Sequence, residues 1–184
     1  MIYKTIYKSP VGELYLTSDG ENLTGVLFHK EKDLINNSAF EECNGDNGET
    51  YSLTVFKAAS SWLDRYFAGE KPDINELPLA PEGSEFRLAV WEILKKIPYG
   101  EVMTYGDIAK EMAVIRGKKK MSAQAVGGAV GNNPISVIIP CHRVVGAGGN
   151  LTGFGGGIDV KVKLLQHENA DMTGMYIPKK GTKL

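Results

Sequence analysis

The chain has 184 residues, of which 42% are hydrophobic and 23% are charged, and its net charge is −1. This composition is typical of a globular protein and argues against a disordered chain. The apolar runs are too short for a membrane span and the N-terminus lacks the apolar core of a signal peptide, so we expect a cytoplasmic protein.

The charges are distributed unevenly along the chain. Residues 1–84 contain 7 Lys/Arg against 14 Asp/Glu, whereas residues 85–184 contain 14 against 8. This segregation predicts two domains with different partners, and a basic half is typical of nucleic-acid binding. A solvated lysine surface would give the same count, so charge alone leaves both interpretations open.

The N-terminal half predicts strands followed by one helix. β-Hairpins are expected over residues 1–30, where the turn sequences SPVG and SDGE separate the strands. Residues 36–50 are rich in Asn, Glu and Gly, which predicts a loop. A helix is expected from about Leu53 to Phe67, stopped by Gly69. Residues 70–83 contain three prolines and no periodicity, which predicts a linker.

The second half predicts three helices before residue 132. An apolar stripe from Phe86 to Ile97 is expected to end at Pro98. Thr104 and Asp107 have the spacing of a capping box, which opens a second helix. Ser122 can cap a third helix, AQAVGGAV, after the basic loop RGKKK. This arrangement suggests a helix-turn-helix, although the loop is longer than the usual turn.

The third helix is built almost entirely from small residues. Gly127 and Gly128 each destabilise a helix interior by about 1 kcal/mol relative to alanine, so another group is expected to approach this backbone closely. Tight packing against a second helix would explain both glycines. A helix thin enough to enter a DNA groove, with the preceding lysines on phosphates, would explain them equally well.

The end of the chain contributes one further charged candidate. The segment PISVIIP is apolar and β-branched, VVGAGGNLTGFGGG predicts a glycine-rich turn or wing, and IDVKVKLLQHE predicts a closing helix. Glu168 follows Leu164 and Leu165 on nearly the same helical face, so one expectation is a partly buried carboxylate with a histidine or arginine partner. The other is a frayed helix end with Glu168 in water.

Cys141, His142 and Arg143 directly follow an apolar run and Pro140. In a reducing compartment no disulfide is expected between Cys43 and Cys141. No zinc site is expected either, because no Cys/His cluster has the spacing of metal ligands, and Cys43 is interpreted as a bystander. Neighbouring strand residues point to opposite faces, but a tight turn or a bridging water would connect the thiol with the imidazole. An inert buried cysteine is the alternative, while the flanking cations and glycines favour a reactive thiol.

The sequence IPCHRVVG resembles the active-site signature of the methylated-DNA–protein-cysteine methyltransferases, the O6-alkylguanine-DNA alkyltransferase family. YGEVMTYGDIAKEM, SAQAVGGAVGNNPISVIIPCHRVVG, LTGFGGGI and KLLQHE follow in the family's order and spacing. The resemblance covers about residues 84–168 and extends weakly into the N-terminal half. It implies an α+β fold: a small N-terminal α/β domain (antiparallel sheet plus helix, ribonuclease-H-like) and a mostly helical winged helix-turn-helix domain.

The resemblance also sets the expected domain boundaries. The N-terminal domain is expected at residues 1–80, with its linker at about 70–83. The DNA-binding and alkyltransferase domain is expected at residues 84–170, and a C-terminal tail at residues 171–184.

The resemblance implies a role for five residues of the reaction centre. Cys141 corresponds to the thiol that accepts the alkyl group, His142 to the base that takes its proton through water, and Glu168 to the carboxylate that orients this histidine. Asn133 corresponds to the asparagine that shapes the segment leading to the cysteine. Tyr105 corresponds to the tyrosine that helps to rotate the damaged nucleotide and donates to the purine.

Further residues are implied in binding DNA and the extruded base. The residues expected to bind DNA are Gln124, Ala125, Gly128, Gly131, Arg143, Thr104 and Lys118. The residues expected to line the base pocket are Val144, Phe154, Gly155 and Gly156. Two departures from the family pattern matter. Gln124 replaces an arginine that fills the gap left by the base, and Phe154–Gly155 replaces Tyr followed by Ser or Ala, so a hydroxyl contact to O6 is expected to be replaced by a backbone N–H.

The implied function is DNA repair by stoichiometric transfer of an alkyl group from O6-alkylguanine, and possibly O4-methylthymine, in double-stranded DNA to Cys141. No metal or organic cofactor, no membrane and no obligate protein partner is expected, and the chain is expected to be a monomer. An alkyltransferase-like damage sensor with weak or no transfer is the main alternative. A cysteine hydrolase and a glycine-rich nucleotide-binding protein are two others, although the latter lacks the strand-then-helix phosphate fingerprint.

Overall fold

A computed structural model of the chain describes residues 2–29, 40–42 and 53–178. The chain folds as two compact units. The N-terminal unit comprises Met1–Glu82 together with Pro134–Ile138, and the C-terminal unit comprises Gly83–Asn133 and Ile139–Leu184. Most of the loop predicted at 36–50, including Cys43, lies outside the described residues.

The N-terminal unit contains a four-stranded sheet of order β3-β2-β1-β4. Its strands are β1 (Ile2–Ser9), β2 (Gly12–Ser18), β3 (Leu23–Phe28) and β4 (Phe40–Glu42). The first three form the antiparallel hairpins predicted from the sequence, while β4 pairs with β1 in parallel. In the second turn, the Asp19 carboxylate accepts hydrogen bonds from the backbone N–H groups of Glu21 and Asn22, which favours a tight reversal.

Helix α1 (Thr54–Phe67) covers this sheet and confirms the predicted helix. Its buried side chains include Phe56, Leu63 and Tyr66, which recur at helical spacing. Gly69, with φ of +89°, ends the helix in a conformation that favours glycine. The apolar face of α1 therefore builds the core of the N-terminal unit against the buried side chains of β2 and β3.

The predicted linker is part of the N-terminal unit. A short 3₁₀ helix spans Ile74–Glu76, and Asp73 caps it by accepting a hydrogen bond from Asn75. Leu23 on β3 then donates to the Pro78 carbonyl and accepts from the Ala80 N–H. The segment is therefore folded and pairs with the sheet through its backbone. Such pairing does not require an alternating pattern of apolar side chains, so the sequence contained no sign of it.

Residues 134–138 also belong to the N-terminal unit, which the expected domain boundaries did not include. Val26 on β3 donates its N–H to the Pro134 carbonyl and accepts from the Ser136 N–H, at 2.8 and 2.9 Å. The β-branched segment PISVI thus behaves as a strand edge. The sequence predicted its extended character but could not show that it pairs with a strand more than a hundred residues earlier.

The C-terminal unit is mostly helical, as predicted. Its helices are α2 (Glu85–Leu94), α3 (Tyr105–Ile115), α4 (Ala123–Gly131) and α5 (Ile158–His167). The hydroxyls of Ser84, Thr104 and Ser122 cap the first three by accepting backbone N–H groups. Helices α3 and α4 pack against each other in the predicted helix-turn-helix positions.

The glycine-rich region and residues 171–178 pair and pack within the C-terminal unit. Strand β5 (Met103–Thr104) pairs in parallel with β6 (Val144–Val145). Farther on, Leu151 donates its N–H to the Tyr176 carbonyl. Met172 and Met175 pack against a cluster formed by Val145, Leu151 and Leu165. The expected tail is therefore part of the C-terminal unit as far as residue 178, because its two methionines have an apolar surface to cover.

None of the helices within the described ranges is both long and apolar enough to cross a membrane.

Candidate active site and nucleic-acid interface

Helix α4 presents one small, exposed face. Gln124, Ala125, Gly128 and Gly131 lie on it, while Val126, Ala129 and Val130 are buried. A Cβ atom added at Gly128 or Gly131 would meet nothing within 4 Å. Packing against another helix therefore does not explain these two glycines, and the face is open for a ligand that needs close approach to the backbone.

A sequence of tight turns leads to Cys141. Val137, with φ of +72°, and Pro140, with φ of −81° and ψ of 63°, each lie at the centre of a three-residue turn. The two turns are closed by Ile138 N–H donating to Ser136 O and by Cys141 N–H donating to Ile139 O. A tight turn, one of the two possible links considered for Cys141 and His142, is therefore present at Pro140.

Asn133 holds the segment that precedes the cysteine. Its side chain is buried, and its Nδ2 donates to the Ile139 carbonyl at 2.8 Å. Cys141–Arg143 then forms a short 3₁₀ helix instead of a strand, so the side chains of Cys141 and His142 are not directed to opposite faces of a sheet. The contact agrees with the shaping role expected for Asn133.

His142 and Glu168 form a buried pair. The His142 Nε2 lies 2.7 Å from Glu168 Oε1, and both side chains are fully buried. Because a carboxylate only accepts, this contact assigns the proton of a neutral ring to Nε2 and leaves Nδ1 as the acceptor. Nδ1 is buried and has no hydrogen-bond partner among the described residues. Of the two expectations for Glu168, the buried carboxylate is confirmed.

Arg143 is the second partner of Glu168. Its Nε and Nη2 donate to the two carboxylate oxygens at 2.8 and 2.9 Å, and its Nη1 donates to the Ile97 carbonyl at 2.6 Å. The expected DNA contact of Arg143 is therefore not supported by its position, since its donors face inward and its side chain is only 11% exposed. The structure gives Arg143 a carboxylate partner that the sequence pattern did not assign to it.

The environment fixes the charge states of this cluster. Burial lowers the pKa of His142, and the nearby Arg143 and Lys161 lower it further against the opposing effect of Glu168. Burial alone would raise the pKa of Glu168, but its hydrogen bonds with His142 and Arg143 and the charge of Arg143 hold it well below its usual range. At neutral pH the site therefore contains a neutral imidazole bound to a charged carboxylate, with Cys141 as the preceding residue of the chain.

Tyr105 begins α3 directly after the Thr104 cap. Its hydroxyl is buried and lies 3.4 Å from the Thr152 carbonyl. Burial, with the charge of Cys141 as a smaller cause, raises its pKa to about 12. Tyr105 is thus a protonated donor at neutral pH, on the same unit as Cys141.

Lys161 is a buried residue that the sequence analysis missed. Its side chain is fully buried, and its Nζ donates to the Val144 and Thr152 carbonyls at 2.5 and 3.0 Å. Burial lowers its pKa to about 8, opposed by the charge of Cys141. The sequence spacing could have indicated this burial. Lys161 and Glu168 are seven residues apart, so both lie on the same side of α5 as the apolar residues Leu164 and Leu165.

Two models of one protein family cover both units. The model described as "6-O-methylguanine DNA methyltransferase, DNA binding domain" matches residues 85–170, and the one described as its "ribonuclease-like domain" matches residues 2–81. The chain belongs to the 6-O-methylguanine DNA methyltransferase family.

Relatives and solved structures agree with this family. A methylated-DNA–protein-cysteine methyltransferase of Haemophilus influenzae is 44% identical, over 91% of this chain and 86% of the relative. One from Methanosarcina acetivorans is 44% identical, over 92% and 99%. The crystal structure of Mycobacterium tuberculosis OGT in complex with DNA has a TM-score of 0.75 and 35% identity, and covers 94% of this chain and 98% of that one.

The other residues expected to bind DNA or the extruded base differ in their exposure. Lys118 is exposed in the loop before α4, whereas the Thr104 hydroxyl is half-buried and occupied by the α3 cap. Val144 is fully buried, and its carbonyl is held by Lys161. Phe154 is half-buried, Gly155 is exposed and Gly156 is buried in the loop before α5. Their roles toward DNA and the extruded base stay predictions.

Proposed function

We propose that the protein repairs DNA by moving the alkyl group of an O6-alkylguanine to its own Cys141, and that it acts once. One observation carries this proposal: the residue after Cys141 is a buried histidine whose Nε2 is bound to Glu168 and whose Nδ1 remains an acceptor. An imidazole held in this tautomer is suited to remove a proton from a neighbouring thiol.

The proposed reaction is a single displacement. The Cys141 proton passes through a water to His142 Nδ1, and the thiolate attacks the alkyl carbon. The C–S bond forms as the bond between carbon and O6 breaks, and the electron pair stays with the guanine. Glu168 holds the imidazole and stabilises its charged form. The thioether has no hydrolytic route in this site, so the protein is consumed.

The departing guanine takes up one proton, which balances the one removed from Cys141. Tyr105 is the proposed donor, because its hydroxyl is buried on the Cys141 unit and its pKa of about 12 keeps it protonated. The resulting tyrosinate regains its proton from the solvent or from His142. Overall, one hydrogen leaves sulfur for the base and one alkyl group moves in the opposite direction.

The partner is proposed to be double-stranded DNA containing an O6-alkylguanine. The exposed small face of α4 fits a groove, and the lysines before it fit phosphates. The damaged base must leave the stack, because its O6 is out of reach inside a duplex. Activity toward O4-methylthymine belongs to the same proposal, since its alkyl–oxygen bond offers the same displacement.

The remaining expectations follow from this chemistry. The proposal needs no metal or organic cofactor, and it describes a monomer because every acting residue lies in one chain. A reactive thiol favours the reducing cytoplasm. The presence of a thiol at Cys141, followed directly by His142, disfavours the alternative of a damage sensor without transfer. A cysteine hydrolase would act repeatedly, whereas the proposed protein acts once.

Stoichiometry tests the proposal directly. Incubation with excess O6-methylguanine DNA should add a single methyl group, about 14 Da, to the peptide that contains Cys141, because the proposed activation by His142 acts on this sulfur. Intact-protein and peptide mass spectrometry measure the result. Cys43 provides an internal control: Cys43→Ser should transfer normally and Cys141→Ser should not. More than one turnover per chain, or label on Cys43, would contradict the mechanism.

Gln124 should act at the step that extrudes the base. Gln124→Ala should slow repair of duplex DNA by roughly one to two powers of ten, because unstacking a base costs a few kcal/mol that a residue filling the gap offsets. Transfer from free O6-benzylguanine, which needs no extrusion, should change little. Gln124→Arg should raise duplex affinity by adding a cation near the backbone.

The matched control for this prediction is Gln166→Ala, which removes an equally exposed helical glutamine from α5. It should leave both substrates unaffected. Equal slowing of both substrates by Gln124→Ala would assign Gln124 to the fold or the pocket. No slowing of either would mean that another residue fills the gap.

A further inference from the structure

A turn far from Cys141 in sequence contacts the charged pair behind it. The segment Ile97–Gly100 lies in the connection between α2 and β5. Glu101 N–H donates to the Pro98 carbonyl at 3.1 Å, which closes a four-residue turn with Gly100 at its third position. The φ of Gly100 is +81°, as a type II turn requires, so glycine is favoured there.

The turn supplies a donor to Glu168 and an acceptor to Arg143. Gly100 N–H donates to Glu168 Oε2 at 3.1 Å, and the Ile97 carbonyl accepts from Arg143 at 2.6 Å. With the contacts from His142 and Arg143, each carboxylate oxygen accepts at least two hydrogen bonds. A carboxylate bound on both oxygens cannot rotate, so its lone pair toward His142 has a fixed direction.

Tyr99 in the same turn binds both neighbours of this carboxylate. Its hydroxyl donates to the His167 carbonyl at 3.3 Å, and the Arg143 guanidinium lies 5.7 Å from its ring centroid. The backbone before Glu168 and the cation beside it are therefore held by one short segment.

Gly100 also leaves no room for a side chain. A Cβ atom at this position would lie 2.9 Å from the backbone oxygen of Glu168. Any substitution must move either the turn or the end of α5, and both movements displace the carboxylate. The contact is with backbone, which cannot rotate out of the way as a flexible side chain would.

We infer that Gly100 is a positioning residue for alkyl transfer, and that its N–H and its missing side chain set the direction of Glu168 and thereby the tautomer and orientation of His142. The inference rests on the proposed function. It assigns a role in the reaction to a turn that lies 41 residues before the cysteine and touches no reacting atom.

The test compares Gly100→Ala with Gly69→Ala. Gly69 has a similar φ of +89°, but a Cβ atom there meets nothing within 4 Å, so the control shares the backbone strain and lacks the collision. Transfer from O6-benzylguanine should be about tenfold slower in Gly100→Ala at pH 7 and should approach the wild-type rate near pH 9, where an unassisted thiol ionises. Gly69→Ala should keep the wild-type rate and pH profile.

A double variant separates this role from a general loss of structure. If Gly100 acts through Glu168, Gly100→Ala should cause no further slowing in a Glu168→Gln background. Independent slowing in that background, or a normal pH profile in Gly100→Ala, would overturn the inference while wild-type transfer still supports the proposed function. Absence of transfer by the wild type would overturn both.

A second variant and a spectroscopic measurement cover the case of poor folding. Gly100→Asn tolerates the positive φ better and retains the collision, so it should show the same slow transfer and shifted pH profile. In folded protein, Glu168→Gln should shift the amide resonance of Gly100 and leave that of Gly69 unchanged. If the Gly100 resonance does not move, the hydrogen bond between Gly100 and Glu168 is absent in solution and the inference is overturned.

Discussion

Glu168→Gln should slow alkyl transfer by roughly two powers of ten at neutral pH, the usual contribution of a positioned general base. The substitution keeps the shape of the side chain and removes its charge, so His142 loses the group that stabilises its protonated form. High pH should restore part of the rate, because an unassisted thiol ionises near pH 8.5. Stopped-flow measurements with O6-benzylguanine between pH 6 and about 10 follow both effects, the upper limit covering thiol ionisation.

The same variant should be markedly less stable. The Arg143 guanidinium would remain buried without its carboxylate, and breaking such a pair costs about 3–5 kcal/mol. The low pKa of Glu168 means that its contribution to stability is complete above its ordinary pKa of about 4.3 and is lost as the pH falls toward the folded value. Acid unfolding of the variant should lack this dependence.

Glu85→Gln is the matched control for both measurements. Glu85 also binds an arginine, Arg116, at 3.2 Å, but its side chain is 93% exposed. An exposed pair contributes at most about 1 kcal/mol, so this variant should retain stability and transfer rate. DNA binding should be near normal in both variants. Loss of DNA binding with an unchanged pH profile in Glu168→Gln would make Glu168 purely structural.

The helices could be predicted from the sequence because their signals are local. The apolar stripe defines α2, and the caps Thr104 and Ser122 define the starts of α3 and α4, within about a turn; the hairpins follow from SPVG and SDGE. Backbone pairing between segments that are far apart in the sequence leaves no comparable local pattern. Residues 78–80 were therefore predicted as a linker, and residues 134–138 were not assigned to the N-terminal unit, although both pair with β3.

The active site was also predictable only where its signals are local in the sequence. Cys141, His142 and Glu168 could be found from the motif and from a carboxylate on an apolar helical face, which also required a histidine or arginine partner. The structure supplies both partners, and this explains Arg143, whose charge had been assigned to DNA. Gly100 could not be found, because a turn reveals its conformation in sequence but not the residue 68 positions away that it contacts.

Lys161→Met should change stability little at pH 7 and should still impair transfer. The pKa of Lys161 in the fold is about 8 against an ordinary 10.5, a difference that corresponds to about 3 kcal/mol of unfavourable burial of the charge. Methionine removes the unfavourable burial of the charge. It also leaves the Val144 and Thr152 carbonyls without a donor, and each unsatisfied carbonyl costs about 1–3 kcal/mol of stability. The two effects are opposite in sign and similar in size.

Transfer should be slower by about a power of ten, because the variant loses a cation that interacts with the developing thiolate. It also loses the two hydrogen bonds that connect Val144, which is expected to line the base pocket, with Thr152, which accepts from Tyr105. The optimum should move to higher pH. Lys163→Met, on the exposed side of the same helix, should transfer at the wild-type rate.

The pH dependence of stability distinguishes the buried lysine from an ordinary one. Between about pH 8 and 10.4 the unfolded chain keeps the Lys161 proton that the folded chain has released, so wild-type stability gains up to about 3 kcal/mol from this group as the pH rises. Urea unfolding at several pH values should show this gain in the wild type and in Lys163→Met, and a smaller gain in Lys161→Met. Identical slopes in all three proteins would mean that the Lys161 ammonium does not titrate in the fold, and that its contribution to the site comes from its two hydrogen bonds alone.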